Sequence, residues 1–149
     1  RRLDYSKMVK GRHPIAAYEF LGPKLEGKDV ILIDDMISSG KSILEIASLL
    51  KKRGAGKIFI CTTFGLFTEG MEKFDEAYQN GIFDKLLTTN LVYQTPELLS
   101  KPYYITCDMS KYIALIIDTL NHDMSVSHLL NPADRIKRCV SNYMAQYEK

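Results

Sequence analysis

The residues best suited to chemistry lie in one short segment, Val30 to Ser42, with the sequence VILIDDMISSGKS. Its second half is small, hydroxylated and flexible, and it leads into a helical pattern. Backbone N–H groups at the start of a helix have no partner and favour an anion, so this half predicts a phosphate site. Serine hydroxyls would add donors, and a lysine would add positive charge. The residues expected to hold the phosphate are Ser38, Ser39, Gly40, Lys41 and Ser42.

Two adjacent acids, Asp34 and Asp35, stand before this loop, where the apolar run ends. Ligands of open α/β sheets bind outside the carboxyl ends of the strands, which is where these acids are expected. Carboxylates repel phosphate, but they accept hydrogen bonds from a vicinal diol and bind a hydrated divalent cation. A phosphate at one end of the segment and a diol at the other describe a ribose 5-phosphate.

Two nucleotide-binding motifs and one structural explanation compete with this interpretation. A Walker A loop needs a glycine five positions before Gly40, and that position is Asp35. A glycine-rich Rossmann motif is also absent from the sequence. In the structural explanation the acids only end a strand, and Ser38 or Ser39 only caps a helix. Because an apolar strand, two acids, a small hydroxylated loop and a helix follow one another in this order, a binding site is favoured over the structural explanation.

The elements that would position this segment alternate between strand and helix. The apolar run at 29–33 is typical of a strand covered on both faces, and the helix after the loop is expected to end at Gly54. Other predicted strands are Ile15 to Phe20, Lys57 to Thr62, Leu86-Leu87 and Tyr103 to Thr106. Further helices are predicted from Met71 to Gly81 and from Asp108 to Leu120. This alternation predicts an α/β fold with a mainly parallel sheet flanked by helices.

The segment after Asn131 has a different pattern. Asn131 and Pro132 are typical of the first positions of a helix. An apolar stripe at helical spacing follows, made of Ile136, Val140, Tyr143, Met144 and Tyr147. Packing of this stripe on its own domain is favoured over docking on a partner subunit. We therefore expect one domain over residues 1–130 and an amphipathic helix over residues 131–149.

Composition narrows the class of protein. The 149 residues are 46% hydrophobic and 26% charged, which is typical of a globular chain. The net charge of +2 gives no reason to expect nucleic-acid or membrane partners, and no apolar run approaches the ~20 residues of a membrane span. Cys61, Cys107 and Cys139 are interpreted as reduced, mostly buried thiols, which indicates a cytoplasmic protein.

The segment from Val30 to Ser42 resembles the phosphoribosyl-diphosphate-binding motif of the type I phosphoribosyltransferase fold. Four other short segments are similar to corresponding segments of the ribose-phosphate diphosphokinase family. These segments are Glu26-Gly27-Lys28, Gly54-Ala55, Cys61-Thr62-Thr63 and Thr89-Asn90. Arg1-Arg2 resembles the end of that family's Lys-Arg-Arg catalytic loop. Ser125-Val126-Ser127 resembles the Ser-Val-Ser near its C terminus. The likeness covers about residues 1 to 130, as the C-terminal half of such an enzyme.

The resemblance implies a magnesium-dependent enzyme that transfers the diphosphoryl group of ATP to ribose 5-phosphate, giving 5-phosphoribosyl 1-diphosphate. Asp34 and Asp35 would hold the ribose hydroxyls and approach Mg²⁺, and the loop would hold the 5-phosphate. Arg1 and Arg2 would close over the ATP phosphates. The serines at 125 and 127 would mark a regulatory phosphate site. The family is also expected to be a homo-oligomer, and the 149 residues alone are expected to be an incomplete enzyme.

Some positions depart from the family pattern. The family has Asp-Thr-Ala-Gly-Thr where this chain has Ser38 to Ser42, and His-Pro where it has Phe64-Gly65. The segment from Tyr93 to Pro102 is an insertion relative to the family. The gain of Lys41 is more like some phosphoribosyltransferases, which consume phosphoribosyl diphosphate. A phosphoribosyltransferase and a non-catalytic regulatory homologue therefore stay as alternatives.

Overall fold

The structure is a computed structural model that describes residues 2–3, 15–17, 22 and 24–147. The chain packs as two compact units, Arg1–Cys107 and Asp108–Lys149. Each unit is described by itself below. Among the described residues, no helix is long and apolar enough to cross a membrane.

The first unit is built on a parallel sheet. Two short strands, β1 (Arg2–Leu3) and β2 (Ile15–Ala17), form a separate antiparallel pair. The four strands of the main sheet are β3 (Val30–Ile37), β4 (Ile58–Gly65), β5 (Lys85–Thr89) and β6 (Tyr104–Cys107). They lie side by side in chain order, and every neighbouring pair is parallel. The predicted α/β fold with a parallel sheet is confirmed.

Helices connect the strands. In the first unit these are α1 (Lys41–Lys52), α2 (Glu72–Gln79) and the single-turn α3 (Pro96–Leu99). The second unit contains α4 (Ser110–Asn121), α5 (Ser127–Leu130) and α6 (Ala133–Tyr147). The predicted end of α1 is confirmed, because Gly54 adopts φ +85° and its N–H donates to the carbonyl of Lys51. The short helices α3 and α5 were not predicted, since four residues carry no helical periodicity.

The core of the first unit lies against one face of the sheet. Its most buried side chains come from both strands and helices, and they include Ala47, Ile58, Ile60, Phe74, Phe83, Leu86 and Tyr103. On the other face of β3, Ile31 is 64% and Ile33 is 83% exposed. The expectation that this strand is covered on both faces is therefore wrong for one face. Strand β3 stands at the edge of the described sheet. An apolar sequence predicts burial, but whether a layer covers each face depends on the packing of other elements.

The cysteines are free, and their burial differs from the expectation. Cys61 is partly buried, and burial raises the pKa of its thiol, with a further contribution from Cys107. Cys107 and Cys139 are exposed, because one ends the last strand and the other lies on α6, whose residues are exposed along its length. The expectation of mostly buried thiols is wrong for these two.

The second unit has well-defined helix starts. The Asp108 carboxylate accepts the Ser110 N–H at 2.9 Å. Asn131 Oδ1 accepts the Ala133 N–H at 3.1 Å, which confirms the predicted start of α6. The apolar stripe of α6 is 48% to 70% exposed, so the structure shows no partner for it among the described residues. The boundary at residue 130 stays a prediction.

Candidate functional site: the loop at the end of β3

The two acids lie inside a strand and not after it. Strand β3 continues to Ile37, with Asp34 opposite Thr62 and Ile37 opposite Gly65 of β4. The expectation that the strand ends at the acids is therefore wrong. Ladder hydrogen bonds use backbone groups, so polar side chains do not stop a strand whose neighbour continues. The Asp35 N–H donates to Asp34 Oδ1 at 3.0 Å, and this bond orients the Asp34 carboxylate.

The turn from β3 into α1 leaves the helix start open. Gly40 occupies the N-cap position with φ +79° and ψ −12°, and no side chain caps the helix there. The explanation in which Ser38 or Ser39 serves only as a helix cap is therefore wrong. The first N–H groups of a helix have no partner within it, so this end of α1 presents unpaired donors to a ligand.

The loop and the acids line one cavity of about 270 Å³, formed by residues 34–43. Both carboxylates and all five predicted loop residues belong to that range. The carboxylates and the loop lie close together because they are consecutive in the chain, where strand β3 ends and helix α1 begins.

Other predicted site residues lie elsewhere. Arg1 lies outside the described residues, and Arg2 is described only by its backbone in β1. Ser125 and Ser127 belong to the second unit, where their hydroxyl oxygens are 2.8 Å apart. The carbonyl of Ser125 is 3.0 Å from Nδ1 of His128.

The connection between β4 and α2 holds the loop in place, a feature that the sequence reasoning missed. The Leu66 N–H donates to the carbonyl of Ile37 at 2.9 Å, and the Thr68 N–H donates to the carbonyl of Ser38 at 3.0 Å. The side-chain oxygens of Ser38 and Thr68 are 3.3 Å apart. The two residues at which the chain leaves β3 are thus tied to a neighbouring connection, which restricts the loop.

Phe74 of α2 lies directly against Gly40. The ring is fully buried, and a Cβ atom added to Gly40 would lie 2.3 Å from the ring's Cζ. The ring also packs edge-on against Phe67 and Phe83. Two features therefore require glycine at position 40, namely its positive φ and the close approach of an aromatic ring.

A carboxylate from the same connection lies near the positive charge of the loop. The hydrogen bond from Lys73, followed by the charges of Lys73 and then Lys41, holds the pKa of Glu69 below its usual range. Lys41 itself is exposed at the first position of α1. The cavity thus combines a cation, open helix N–H groups and two carboxylates.

Comparison with known proteins places this arrangement in a family. Residues 7–131 match the phosphoribosyl synthetase-associated domain. The ribose-phosphate pyrophosphokinase of Shewanella oneidensis is 29% identical over 107 residues, which cover 72% of this chain and 33% of that protein. The enzyme of the same name from Thermococcus kodakarensis is 36% identical over 93 residues, covering 60% of this chain and 31% of that protein.

A solved structure supports the fold. Phosphoribosylpyrophosphate synthetase from Mycobacterium smegmatis superposes with a TM-score of 0.60 at 22% identity, covering 68% of this chain and 33% of that one. The chain spans about a third of the length of the relatives it matches. Since the family match covers residues 7–131 of 149, the protein belongs to the phosphoribosyl synthetase-associated domain family.

Proposed function

We propose that this chain carries the ribose 5-phosphate site of an enzyme that makes 5-phosphoribosyl 1-diphosphate from ATP and ribose 5-phosphate. The observation that carries the proposal is the cavity of residues 34–43, in which two carboxylates precede an open helix start. The relatives named ribose-phosphate pyrophosphokinase support the same reaction.

The loop is suited to the 5-phosphate. The residues from Ser38 to Ser42 combine unpaired backbone donors, three hydroxyls and one ammonium group in a single turn. Glycine at position 40 lets the backbone turn with φ +79° beside the Phe74 ring, and the helix start that follows offers its first N–H groups to an anion. No acidic side chain lies in the first turn of α1, so nothing in that turn repels a phosphate.

The carboxylates are suited to the sugar. Asp34 and Asp35 accept hydrogen bonds and donate none when ionised, so vicinal ribose hydroxyls are matched donors. Asp34 is partly buried and Asp35 is exposed, which leaves both reachable from the cavity. Each charge-assisted hydrogen bond of this kind would contribute roughly 1.5–3 kcal/mol.

The same carboxylates fit Mg²⁺. No cluster of three or more His, Cys, Asp or Glu side chains exists in the described part of the chain, so an all-protein cage is not available there. Mg²⁺ typically keeps several waters and binds through one or two carboxylates together with substrate phosphates, which matches this pair. When bound, the ion would offset the charge that develops during phosphoryl transfer.

The remaining assignments come from the family resemblance. Arg1 and Arg2 would close over the phosphates of ATP, and Ser125 with Ser127 would bind a regulatory phosphate. We also propose a homo-oligomer in the cytoplasm. Diphosphoryl transfer depends mainly on positioning and charge stabilisation, so residues that bind the two substrates would supply most of the rate acceleration.

A phosphoribosyltransferase is the second candidate, because Lys41 in the loop resembles some members of that class. A non-catalytic homologue is disfavoured, since it would not need two adjacent carboxylates beside a phosphate loop.

The test is a titration of the chain with ribose 5-phosphate by calorimetry, together with assays of the full-length protein. We expect ribose 5-phosphate to bind, and AMP to form when ATP and Mg²⁺ are supplied. Diphosphate release that requires a nucleobase would instead identify a transferase. Binding of the sugar phosphate with neither reaction would identify a regulatory homologue, and no binding at all would contradict the proposal.

A further inference from the structure

Helix α6 carries an apolar stripe without a partner in the described part of the chain. The stripe consists of Ile136, Val140, Tyr143, Met144 and Tyr147. These side chains are 48% to 70% exposed, and no residue of α6 is buried. The helix begins at Ala133, beyond residue 131 where the family match ends, so the match does not account for it. A contiguous exposed apolar surface marks an interaction site.

The spacing of the stripe favours another helix as the partner. Ile136, Val140, Tyr143 and Tyr147 follow one another in steps of four, three and four residues. Alternating steps of this kind give the 3.5-residue period of the contact between two supercoiled helices. The stripe therefore has the pattern of one side of a helix pair.

The charges of α6 favour an antiparallel partner of the same sequence. Its basic residues, Arg135, Lys137 and Arg138, all lie in its first half, whereas residues 139–147 carry no charge. Cations are unfavourable near the positive N-terminal end of a helix and favourable near the negative C-terminal end. An antiparallel second α6 would place its uncharged C-terminal end beside these cations, whereas a parallel one would place two basic halves side by side.

The apolar side chains fit the same arrangement. If two antiparallel α6 helices overlap along their whole length, Ile136 of each copy lies opposite Tyr147 of the other, and Val140 lies opposite Tyr143. Each aromatic ring then meets a smaller aliphatic side chain, which lets the contact fill without large voids. A two-fold axis between the helices would make the contact identical for both copies.

We propose that α6 is a self-association surface, which pairs antiparallel with α6 of a second copy of this chain. This inference rests on the homo-oligomer in the proposed function and deepens it by naming the surface. It does not depend on the ribose 5-phosphate site.

The two tyrosines would supply much of the buried area. A tyrosine can bury roughly 150–250 Å². The rings of Tyr143 and Tyr147 already pack on each other with their centroids 4.5 Å apart, so little side-chain freedom is lost on pairing. A pair of 15-residue helices still falls at the low end of specific interfaces, below about 1,200 Å². We therefore expect a dissociation constant in the micromolar range.

The experiment measures self-association of the 149-residue chain by analytical ultracentrifugation. Val140→Glu places a carboxylate in the stripe, and the matched control Ser141→Glu places the same charge on the next residue, which lies outside the stripe. Both residues are exposed in the single chain, so neither change should disturb the folding of a separate copy. The melting temperature of each variant is measured in dilute solution, where the copies are separate.

We expect the wild type to self-associate and Val140→Glu to weaken that association at least tenfold, because the contact would bury an unpaired carboxylate. Ser141→Glu should associate as the wild type does. In dilute solution, both variants should melt as the wild type does.

Lys137→Glu tests the orientation. In an antiparallel pair the new acid lies beside the negative end of the second helix, so association should weaken about two- to fivefold. The same change places an acid in the first half of its own helix, where it does not destabilise the single copy. Unchanged or tighter association would exclude antiparallel pairing and overturn the inference.

Other occupants of the stripe would give different results, and each would overturn the inference. A wild-type oligomer that Val140→Glu leaves intact would keep the proposed homo-oligomer but place its contact elsewhere. A melting temperature of Val140→Glu well below that of Ser141→Glu in dilute solution would show that the stripe packs on its own chain. A monomeric wild type would remove the homo-oligomer from the proposed function, and its binding to vesicles of anionic phospholipid would identify a membrane surface as the occupant. Calorimetry with ribose 5-phosphate tests the sugar site separately from all of these outcomes.

Discussion

Helices α1 and α4 are both 12 residues long, and each follows a strand of the parallel sheet, yet their first residues differ in one contact. Neither helix has a side-chain bond from its N-cap residue or an acid in its first turn, and the N-cap of α1 is Gly40. Helix α4 starts beside Asp108, whose carboxylate takes the N–H of Ser110 at 2.9 Å. One backbone donor at the start of α4 is thus satisfied by a neighbouring side chain, whereas Gly40 has no side chain that could cap α1.

This difference shows what supports the start of α1 in place of a capping side chain. Every helix start has unpaired N–H groups, and a capping side chain stabilises it by about 0.5–2 kcal/mol. At α1 that stabilisation is absent, and the loop is held instead by the backbone contacts of Leu66 and Thr68 and by Phe74. These contacts support the loop without capping the first N–H groups of α1.

The largest effect is expected from Gly40→Ala. The new Cβ would meet the Phe74 ring at 2.3 Å, and φ is +79°, so the free energy of unfolding should fall by about 2–5 kcal/mol. Ribose 5-phosphate binding should be lost in calorimetry. The control is Gly54→Ala at the other end of α1, where φ is +85° but the nearest atom lies 3.4 Å away. Gly54→Ala should lose only about 1–2 kcal/mol and bind normally, and equal binding by both variants would contradict the role of the loop.

The next effect concerns the acids that precede the open helix start. Asp34→Asn and Asp35→Asn should each weaken ribose 5-phosphate binding about ten- to a hundredfold, because each loses a charge-assisted hydrogen bond. The melting temperature should change little, since neither side chain is fully buried. Asp118→Asn, an exposed site in α4, should bind as the wild type does. Wild-type affinity in either site variant would exclude the assignment of that acid to the sugar.

Ser39→Asp would make the start of α1 resemble that of α4. A carboxylate there would take up the open N–H groups and repel a phosphate, so the affinity for ribose 5-phosphate should fall roughly tenfold. The helix itself should be unchanged or more stable by about 0.3–1 kcal/mol in urea unfolding. The matched variant Ser39→Asn has nearly the same shape without the charge and should bind much more tightly than Ser39→Asp. Equal affinities would show that the charge of the loop does not select the ligand.

The smallest effect is expected from the reverse change, Asp108→Ala. Loss of the capping carboxylate should lower the stability of α4 by about 1 kcal/mol, measured by urea unfolding. Asp108→Asn should retain most of that stability because the amide oxygen still accepts the Ser110 N–H. Calorimetry with ribose 5-phosphate should give wild-type affinity for both, and a loss of binding would mean that the two helix starts are not independent.

Much of the site could be predicted because its parts are close together in the chain. The apolar run from Val30, the adjacent acids, the small loop residues and the helical stripe are all contained in residues 30–50. A strand followed by a helix brings such parts close together, and residues 34–43 line one cavity. The parallel α/β fold was predictable for the same reason, since alternation of strand and helix is a local pattern.

The features that were not predicted depend on contacts between distant segments. That Asp34 and Asp35 lie within β3 follows from its register with β4, which extends to Gly65. The close fit of Gly40 depends on the Phe74 ring, and the exposure of Ile33 depends on which elements cover each face of the sheet.

Thr62 illustrates the distinction most clearly, because its hydroxyl oxygen is buried with no hydrogen-bond partner among the described residues. Its residue type is compatible with a strand, a cap or a surface position, and nothing in its neighbours distinguishes an unpaired hydroxyl from a paired one. Hydrophobic periodicity is a property of consecutive residues and can therefore be read from the chain. The partner of a buried hydroxyl is set by strand register and packing between segments far apart in sequence, and these exist only once the chain has folded.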